Sequence, residues 1–433
     1  MKFYSTANKN HLVDFQEAVV SGLAPDNGLY MPSSISRFPI TYFETLHQKS
    51  FSAMAYDIAL ALIGDALPQD KLKQFVDHAV SFDAPLVALT EDVYALELFH
   101  GPTLAFKDFG ARFMSQVLAY YAKQLNKEVV ILAATSGDTG SAVANGFYQV
   151  SGTRVVVLYP AGKVSNVQEK QFTTLGHNIT AIAIEGTFDD CQRLVKLAFQ
   201  DKELKQNHFL SSANSINMAR LIPQVFYYFF AWSRLQKTKP IVFSVPSGNF
   251  GNLTAGLIAK NMGLPIDHFI AATNANDVVP EYFKNGEFKP RASQLTISNA
   301  MDVGNPSNFI RILDLHEHDL VQLRKDISAF AFNDEETAAA MKEVYEKHHY
   351  ILDPHGAVAY LGLKKFQQKH PDYTGVFLET AHPAKFIEVV EDTLQQKINM
   401  PDTLRAFMNK EKKSISCSSD FNAVKTLLLN LLS

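Results

Sequence analysis

The chain has 433 residues, 47% of them hydrophobic and 19% charged, with a formal net charge of −4 at pH 7. This length allows about three domains or subdomains around a large core, and interspersed Lys and Arg exclude a basic nucleic-acid arm or membrane patch. Cys191 and Cys417 are too few for a disulfide framework or zinc ribbon, Met1 to Ser5 has no apolar signal segment, and the run Val225 to Trp232 is too short to span a membrane. Residues 1–90 read mainly as helices: Asp14 to Ser21, a Pro25-Asp26-Asn27-Gly28 turn, then segments around Phe43 to Ile63 and Lys71 to Val80. From Val93 onward, apolar runs alternate with helical patterns. Val129 to Ala134, Arg154 to Tyr159, Ile179 to Ile184, Phe209 to Ser211, Ile241 to Val245, His268 to Thr273 and Gly375 to Leu378 read as strands. Helices are expected from Gly140, from Gln168, over Asp189 to Gln200, Met218 to Leu235 and Leu253 to Met262. Such alternation implies parallel sheets covered on both faces, an α/β architecture. The tail from Asn409 to Ser419 reads as a charged, serine-rich connection to a last packed helix.

Taken in chain order, the loops carry the chemistry. His100-Gly101-Pro102-Thr103-Leu104-Ala105-Phe106-Lys107-Asp108-Phe109 sets a lysine among apolar residues at a helix start. Desolvation and the positive helix end lower an amine's pKa, which suits Lys107 to bond an aldehyde cofactor covalently. A lysine that snorkels to solvent is the bland alternative. Ala134-Thr135-Ser136-Gly137-Asp138-Thr139-Gly140 follows a strand and offers hydroxyls and backbone N–H groups to an anion, or simply caps the next helix. Lys163 and Ser165 follow the next strand, and Asn217 and Arg220 lie three apart at a helix start. Ser247-Gly248-Asn249-Phe250-Gly251-Asn252 lacks both the P-loop Gly-Lys-Ser/Thr and the G-x-G-x-x-G spacing, so it suits a monophosphate better than a dinucleotide. Glu379-Thr380-Ala381-His382-Pro383 follows the strand that begins at Gly375, and His382 by itself reads as structural. The histidine pairs His316/His318 and His348/His349 have no acidic or cysteine constellation, so no metal site is assigned.

The motifs HGPTLAFKD, ATSGDTG, PAGKVS, NSINMARLIPQ, VPSGNFGN, MDVGNPSN, DPHGA and ETAHPAKF, with the run Ser21 to Tyr30, resemble the threonine synthase family in the same order, from the first residues to about Asp392. Ser5-Thr6-Ala7-Asn8 departs from it, since the family often has an arginine after Ser-Thr. The resemblance implies a pyridoxal 5'-phosphate enzyme of fold type II, with two parallel-sheet α/β domains and a mainly helical N-terminal domain. The expected boundaries are 1–90 for the N-terminal domain, 91–125 with 236–433 for the larger domain, and 126–235 for the smaller. Carried over by residue, Lys107 would bind the cofactor covalently, Gly248, Asn249, Phe250, Gly251 and Asn252 would hold its phosphate, and Thr380 would face its pyridine nitrogen. Ser136, Asp138 and Thr139 would grip the substrate carboxylate or the ring hydroxyl, and Lys163, Ser165, Asn217 and Arg220 are candidates for the substrate phosphate. The implied reaction is O-phospho-L-homoserine plus water to L-threonine and phosphate, by γ-elimination and β-addition, as the last step of threonine biosynthesis. A serine/threonine dehydratase-like β-eliminating lyase is the runner-up, ahead of a dinucleotide-dependent oxidoreductase and a non-catalytic relative. A cytoplasmic monomer or homodimer with no nucleic-acid or membrane partner is expected.

Overall fold

In the computed structural model, which describes every residue except Ser136, Lys237 and Ser433 and leaves out the Asn207 side chain, the alternating runs form two parallel layers. The larger is six-stranded, in the order Ile327–Ala331, His268–Thr273, Ile241–Pro246, Thr374–Glu379, Val93–Glu97, Leu86–Thr90. All pairs in it are parallel except the edge hairpin between Leu86–Thr90 and Val93–Glu97. The smaller, five-stranded and parallel, runs Ile415–Ser418, Ile179–Glu185, Thr153–Pro160, Val129–Ala134, Phe209–Ser212. Every residue of Val129–Ala134, Ile241–Pro246 and Thr374–Glu379 is buried, which is why these strands read as continuous apolar runs.

The helix Met218–Arg234 ties the layers together and is buried from Met218 to Ser233. It packs against the helices Phe51–Ile63, Lys107–Leu125 and Gly251–Asn261. A helix buried on every face, its few polar side chains Arg220, Gln224 and Ser233 included, has no solvent side to offer, so it becomes the axle of the molecule. Around it Phe51 stacks on Phe230, Phe43 on Phe229, and Phe109 tilts against Tyr227.

Three regions depart from the sequence expectation. The N-terminal part is not purely helical, since Phe3–Ser5 is the middle strand of a small antiparallel sheet with Asn8–Val13 and Tyr30–Pro32. Two of these strands have three residues and the third is largely exposed and polar, so no period-2 pattern develops. The expected helix from Phe43 to Ile63 is interrupted, because the Ser50 hydroxyl accepts from the Ala53 N–H and starts a new helix at Phe51. The tail does end in a packed helix, Phe421–Leu432, but Ile415–Ser418 first joins the edge of the five-stranded sheet rather than the larger layer with which 236–433 was grouped. Among the described residues no helix is long and apolar enough to cross a membrane, and no cluster of three or more metal-ligating side chains occurs.

Leu428 of the last helix is 1% exposed and packs with Cys191 and Leu194 of the smaller layer. Leu428→Ala should cost about 2–5 kcal/mol and lower the thermal midpoint in calorimetry. Leu12→Ala, at a position 54% exposed, should leave it nearly unchanged.

Candidate active site

The strands Ile241–Pro246 and Thr374–Glu379 pair from Ile241↔Thr374 to Ser244↔Phe377 and then stop. Both continue two residues further, still paired to their outer neighbours at Pro246↔Ala272 and Glu379↔Glu97. The two central strands therefore part at their carboxyl ends and open a crevice, where ligands bind in sheets of this kind.

One lip is the loop that follows Pro246. The Ser247 N–H donates to the Ala272 carbonyl at 2.8 Å, and Phe250 takes a left-handed conformation, φ 61°, just before the helix Gly251–Asn261. That turn presents the first N–H groups of the helix, which have no partner within it, to an anion. Gly248 runs so close to its neighbours that a Cβ there would lie 2.7 Å from Met301 Cα. The Asn249 amide nitrogen donates to Ser215 Oγ at 2.7 Å, and the Asn308 amide donates to the Asn249 carbonyl at 3.0 Å. Asn252 Oδ1 accepts from the hydroxyls of Tyr227 at 2.8 Å and Tyr228 at 2.7 Å, while its buried Nδ2 has no partner. Asn249 thus braces the loop with its side-chain amide and its backbone carbonyl, and Asn252 with its side-chain oxygen. Ser215 and Asn308 belong to the same network; they lie inside NSINMARLIPQ and MDVGNPSN but were not singled out from the sequence.

Lys107 stands on the other lip. Leu104 is left-handed, φ 56°, and the segment it begins zips onto the strand end opposite. The Phe106 N–H donates to the Thr380 carbonyl at 2.9 Å, the His382 N–H donates to the Leu104 carbonyl at 3.1 Å, and Ala105 bridges Ala381. Lys107 is the first residue of the helix Lys107–Leu125, with Nζ 3.9 Å from Asp138 Oδ2 and 5.6 Å from the centroid of the Phe106 ring. Burial lowers its pKa to about 8, with the Lys385 and Arg220 cations adding to the effect and Asp138 and Asp353 opposing it. Such an amine is partly neutral at physiological pH.

The strand end Val129–Ala134 supplies the third side. Thr135 Oγ1 accepts from the N–H groups of Gly137 at 2.9 Å and Gly140 at 2.7 Å, capping the helix Asp138–Gly146. Asp138 carries an ion pair with Lys385 at 2.7 Å and accepts from Gln168 Nε2 at 2.9 Å. Burial alone would push its carboxyl up, but Lys385, Lys107 and Gln168 hold it well below the usual carboxylate range. Thr139 is half-buried at the same helix start, and Ser136 lies outside the described residues.

The candidates for the substrate phosphate are not all alike. Arg220 is buried, donates to the Ala213 carbonyl and keeps Nε without a partner; burial lowers its pKa to about 10. Asn217 is fully engaged, donating to the Val19 carbonyl at 2.7 Å and accepting from the Ala219 N–H at 3.0 Å. Ser165 caps the helix Asn166–Thr173 and donates to Gln168 Oε1 at 3.0 Å. Lys163 sits exposed in a turn. His382 accepts from the Ala384 N–H at 3.1 Å and is held neutral by burial, its pKa lowered to about 4. Lys385, fully buried beside Asp138, was missed; it lies inside ETAHPAKF but carries no sequence signal of its own.

An amine poised near neutrality, a turn of free helix N–H groups and an unpartnered Asn252 amide fit a lysine-bound aldehyde cofactor that carries a phosphate. They define a pyridoxal-phosphate enzyme of fold type II. The family profile described as "Pyridoxal-phosphate dependent enzyme" matches residues 82–379, and profiles described as "Threonine synthase N terminus" and "Threonine synthase, C-terminal" match 2–80 and 356–428. The chain is 47% identical over 432 residues to the threonine synthase of Escherichia coli, covering 99% of this chain and all of that one. It is 34% identical to that of Schizosaccharomyces pombe, over 90% and 88% of the two chains. The crystal structure of a PLP-bound threonine synthase from Brucella melitensis superposes with a TM-score of 0.93 at 34% identity, covering 99% of each chain. A threonine deaminase from Solanum lycopersicum, 16% identical with a TM-score of 0.57 over 75% of this chain and 89% of that one, shares the fold. The chain belongs to the threonine synthase family. Its cofactor is pyridoxal phosphate.

Gly248→Ala should weaken pyridoxal phosphate binding about tenfold or more, because the added methyl meets the Met301 backbone and displaces the loop. A fluorescence titration of the stripped protein with the cofactor measures it.

Proposed function

We propose that this protein is a threonine synthase that converts O-phospho-L-homoserine and water into L-threonine and phosphate, the last step of threonine biosynthesis, in the cytoplasm. The observation that carries the substrate reading is Arg220, a buried guanidinium whose Nε has no partner, close enough to Lys107 to lower its pKa. A buried cation left without a full set of hydrogen bonds is costly unless an anion completes it. A dehydratase acts on an uncharged side chain and has no use for such a group.

In this reading Lys107 Nζ would bond the cofactor aldehyde. The helix start at Gly251 and the Asn252 amide would hold the phosphate, and the Thr380 hydroxyl would serve the ring nitrogen. Bound pyridoxal phosphate supplies the electron sink that makes the protons at the substrate's Cα and Cβ removable. Glu379, next to Thr380 in sequence, is pushed well above the usual carboxylate range by burial and by Asp353, its carboxyl lying at the helix start that Asp353 caps. Ser136 and Thr139 bind the substrate carboxylate, with Asp138 as the counter-ion of the site rather than a direct grip. Lys107, freed once substrate is bound, would take the proton from Cα, carry a proton from Cβ to Cγ, from which phosphate leaves, and finally return a proton to Cα. Arg220 receives that phosphate, with Lys163 and Ser165 supplied by the smaller layer. Water then adds at Cβ.

Lys107→Ala should abolish the cofactor's visible absorbance and turnover together; turnover that survived would sink the assignment. Phosphate release from O-phospho-L-homoserine, with the amino-acid product identified, decides the reaction. Threonine supports it, and a keto acid as main product favours the eliminating lyase.

A further inference from the structure

We propose that Lys385 is a positioning residue for Lys107: by holding the Asp138 carboxylate, it leaves the Lys107 amine without a close counter-ion and so free to shed its proton. The proposal rests on Lys107 being the cofactor lysine and adds what sets its proton state.

Two ammonium groups compete for one carboxylate. Lys385 Nζ is 2.7 Å from Asp138 Oδ1, within hydrogen-bond reach, whereas Lys107 Nζ is 3.9 Å from Oδ2, beyond it. Coulomb attraction falls with distance, and only the nearer pair adds a charge-assisted hydrogen bond. Gln168 Nε2, donating to the same Oδ1 at 2.9 Å, fixes the carboxylate in that orientation.

Lys385 is mounted rigidly. It lies in the turn Pro383–Phe386, which the His382 ring caps, and its own N–H donates to the His382 carbonyl at 3.0 Å. Its ammonium also donates to the Thr103 carbonyl at 2.8 Å, on the segment that leads into Lys107. The side chain is wholly buried. Packing alone would be served by an apolar residue of similar volume, since burying an ammonium is costly even when it is paired. The charged groups facing Lys107 are Asp138, Lys385, Arg220 and Asp353 from the surrounding elements. Asp108 follows it on its own helix and is hydrogen-bonded to Thr103. Of these, Lys385 alone holds Asp138 by an ion pair within hydrogen-bond reach.

The test is the pH dependence of pyridoxal phosphate capture by the stripped full-length protein, in which the amine condenses with the aldehyde and water is lost. Absorbance gives the rate, and borohydride trapping with peptide mapping gives the position. In Lys385→Gln, Asp138 turns to Lys107, and the midpoint of capture should rise by about one pH unit, slowing capture about tenfold below it. Lys385→Arg should stay near the parent protein. The double variant Lys385→Met with Asp138→Asn removes a neutral pair, leaves no lone buried charge, and should also stay near the parent. Asp138→Asn alone should move the midpoint down. An unshifted midpoint in Lys385→Gln, or a rise of about one pH unit in the double variant, which has no Asp138 carboxylate to release, overturns the proposal, and the double variant decides if Lys385→Gln does not fold. A trapped label away from Lys107 overturns the assignment of the cofactor lysine instead, so the two failures are distinct.

Discussion

The short contact in which Phe106 donates to Thr380 and His382 donates to Leu104 is the constraint on which the rest of the site depends. It joins the segment before the helix Lys107–Leu125 to the end of a central strand of the larger sheet. Without it the reactive amine would sit on a free loop, and its distance from the strand ends would drift. With it, Lys107 and Thr380 are held to one rigid layer, and the left-handed Leu104 is the backbone cost of making the turn. Because Lys385 lies five residues beyond Thr380, the same contact brings the second buried ammonium to the first.

Burial does two opposite things here. It lowers the proton affinity of Lys107, which the chemistry needs, and it raises that of Glu379, whose carboxyl meets the helix start at Asp353. Asp138 is the exception, since two ammonium groups and an amide outweigh its desolvation. The site therefore reaches its charge pattern by choosing which groups have partners, not by exposing them to water. Exposed charges of the same kinds would be screened and would titrate at their ordinary values.

Much of this was legible in the sequence, for physical reasons. Fully buried parallel strands must be largely apolar, so Val129–Ala134 and Ile241–Pro246 stood out. Glycine loops after such strands stood out in turn, because backbone approach and a helix start require them. What stayed hidden was of two kinds. Short strands outside the strand–helix alternation, such as Phe3–Ser5, Leu86–Thr90, Ile327–Ala331 and Ile415–Ser418, carry too little pattern to register, whereas the equally short Phe209–Ser212 was placed by that alternation. Residues whose role exists only through tertiary contact, such as Lys385, Ser215 and Asn308, have no local pattern at all. Asn217 shows the converse: a motif position that looked free for a ligand spends its amide on Val19 and Ala219.

The edge strand Ile415–Ser418 has a consequence for how the molecule is made. It pairs with Ile179–Glu185, more than two hundred residues earlier, and the helix that covers it ends at Leu432. The ribosome must therefore deliver the chain as far as Ser418 before the five-stranded layer has its full set of strands. Until then Ile179–Glu185 is an open edge in a nascent chain, the kind of surface on which chaperones and aggregation act.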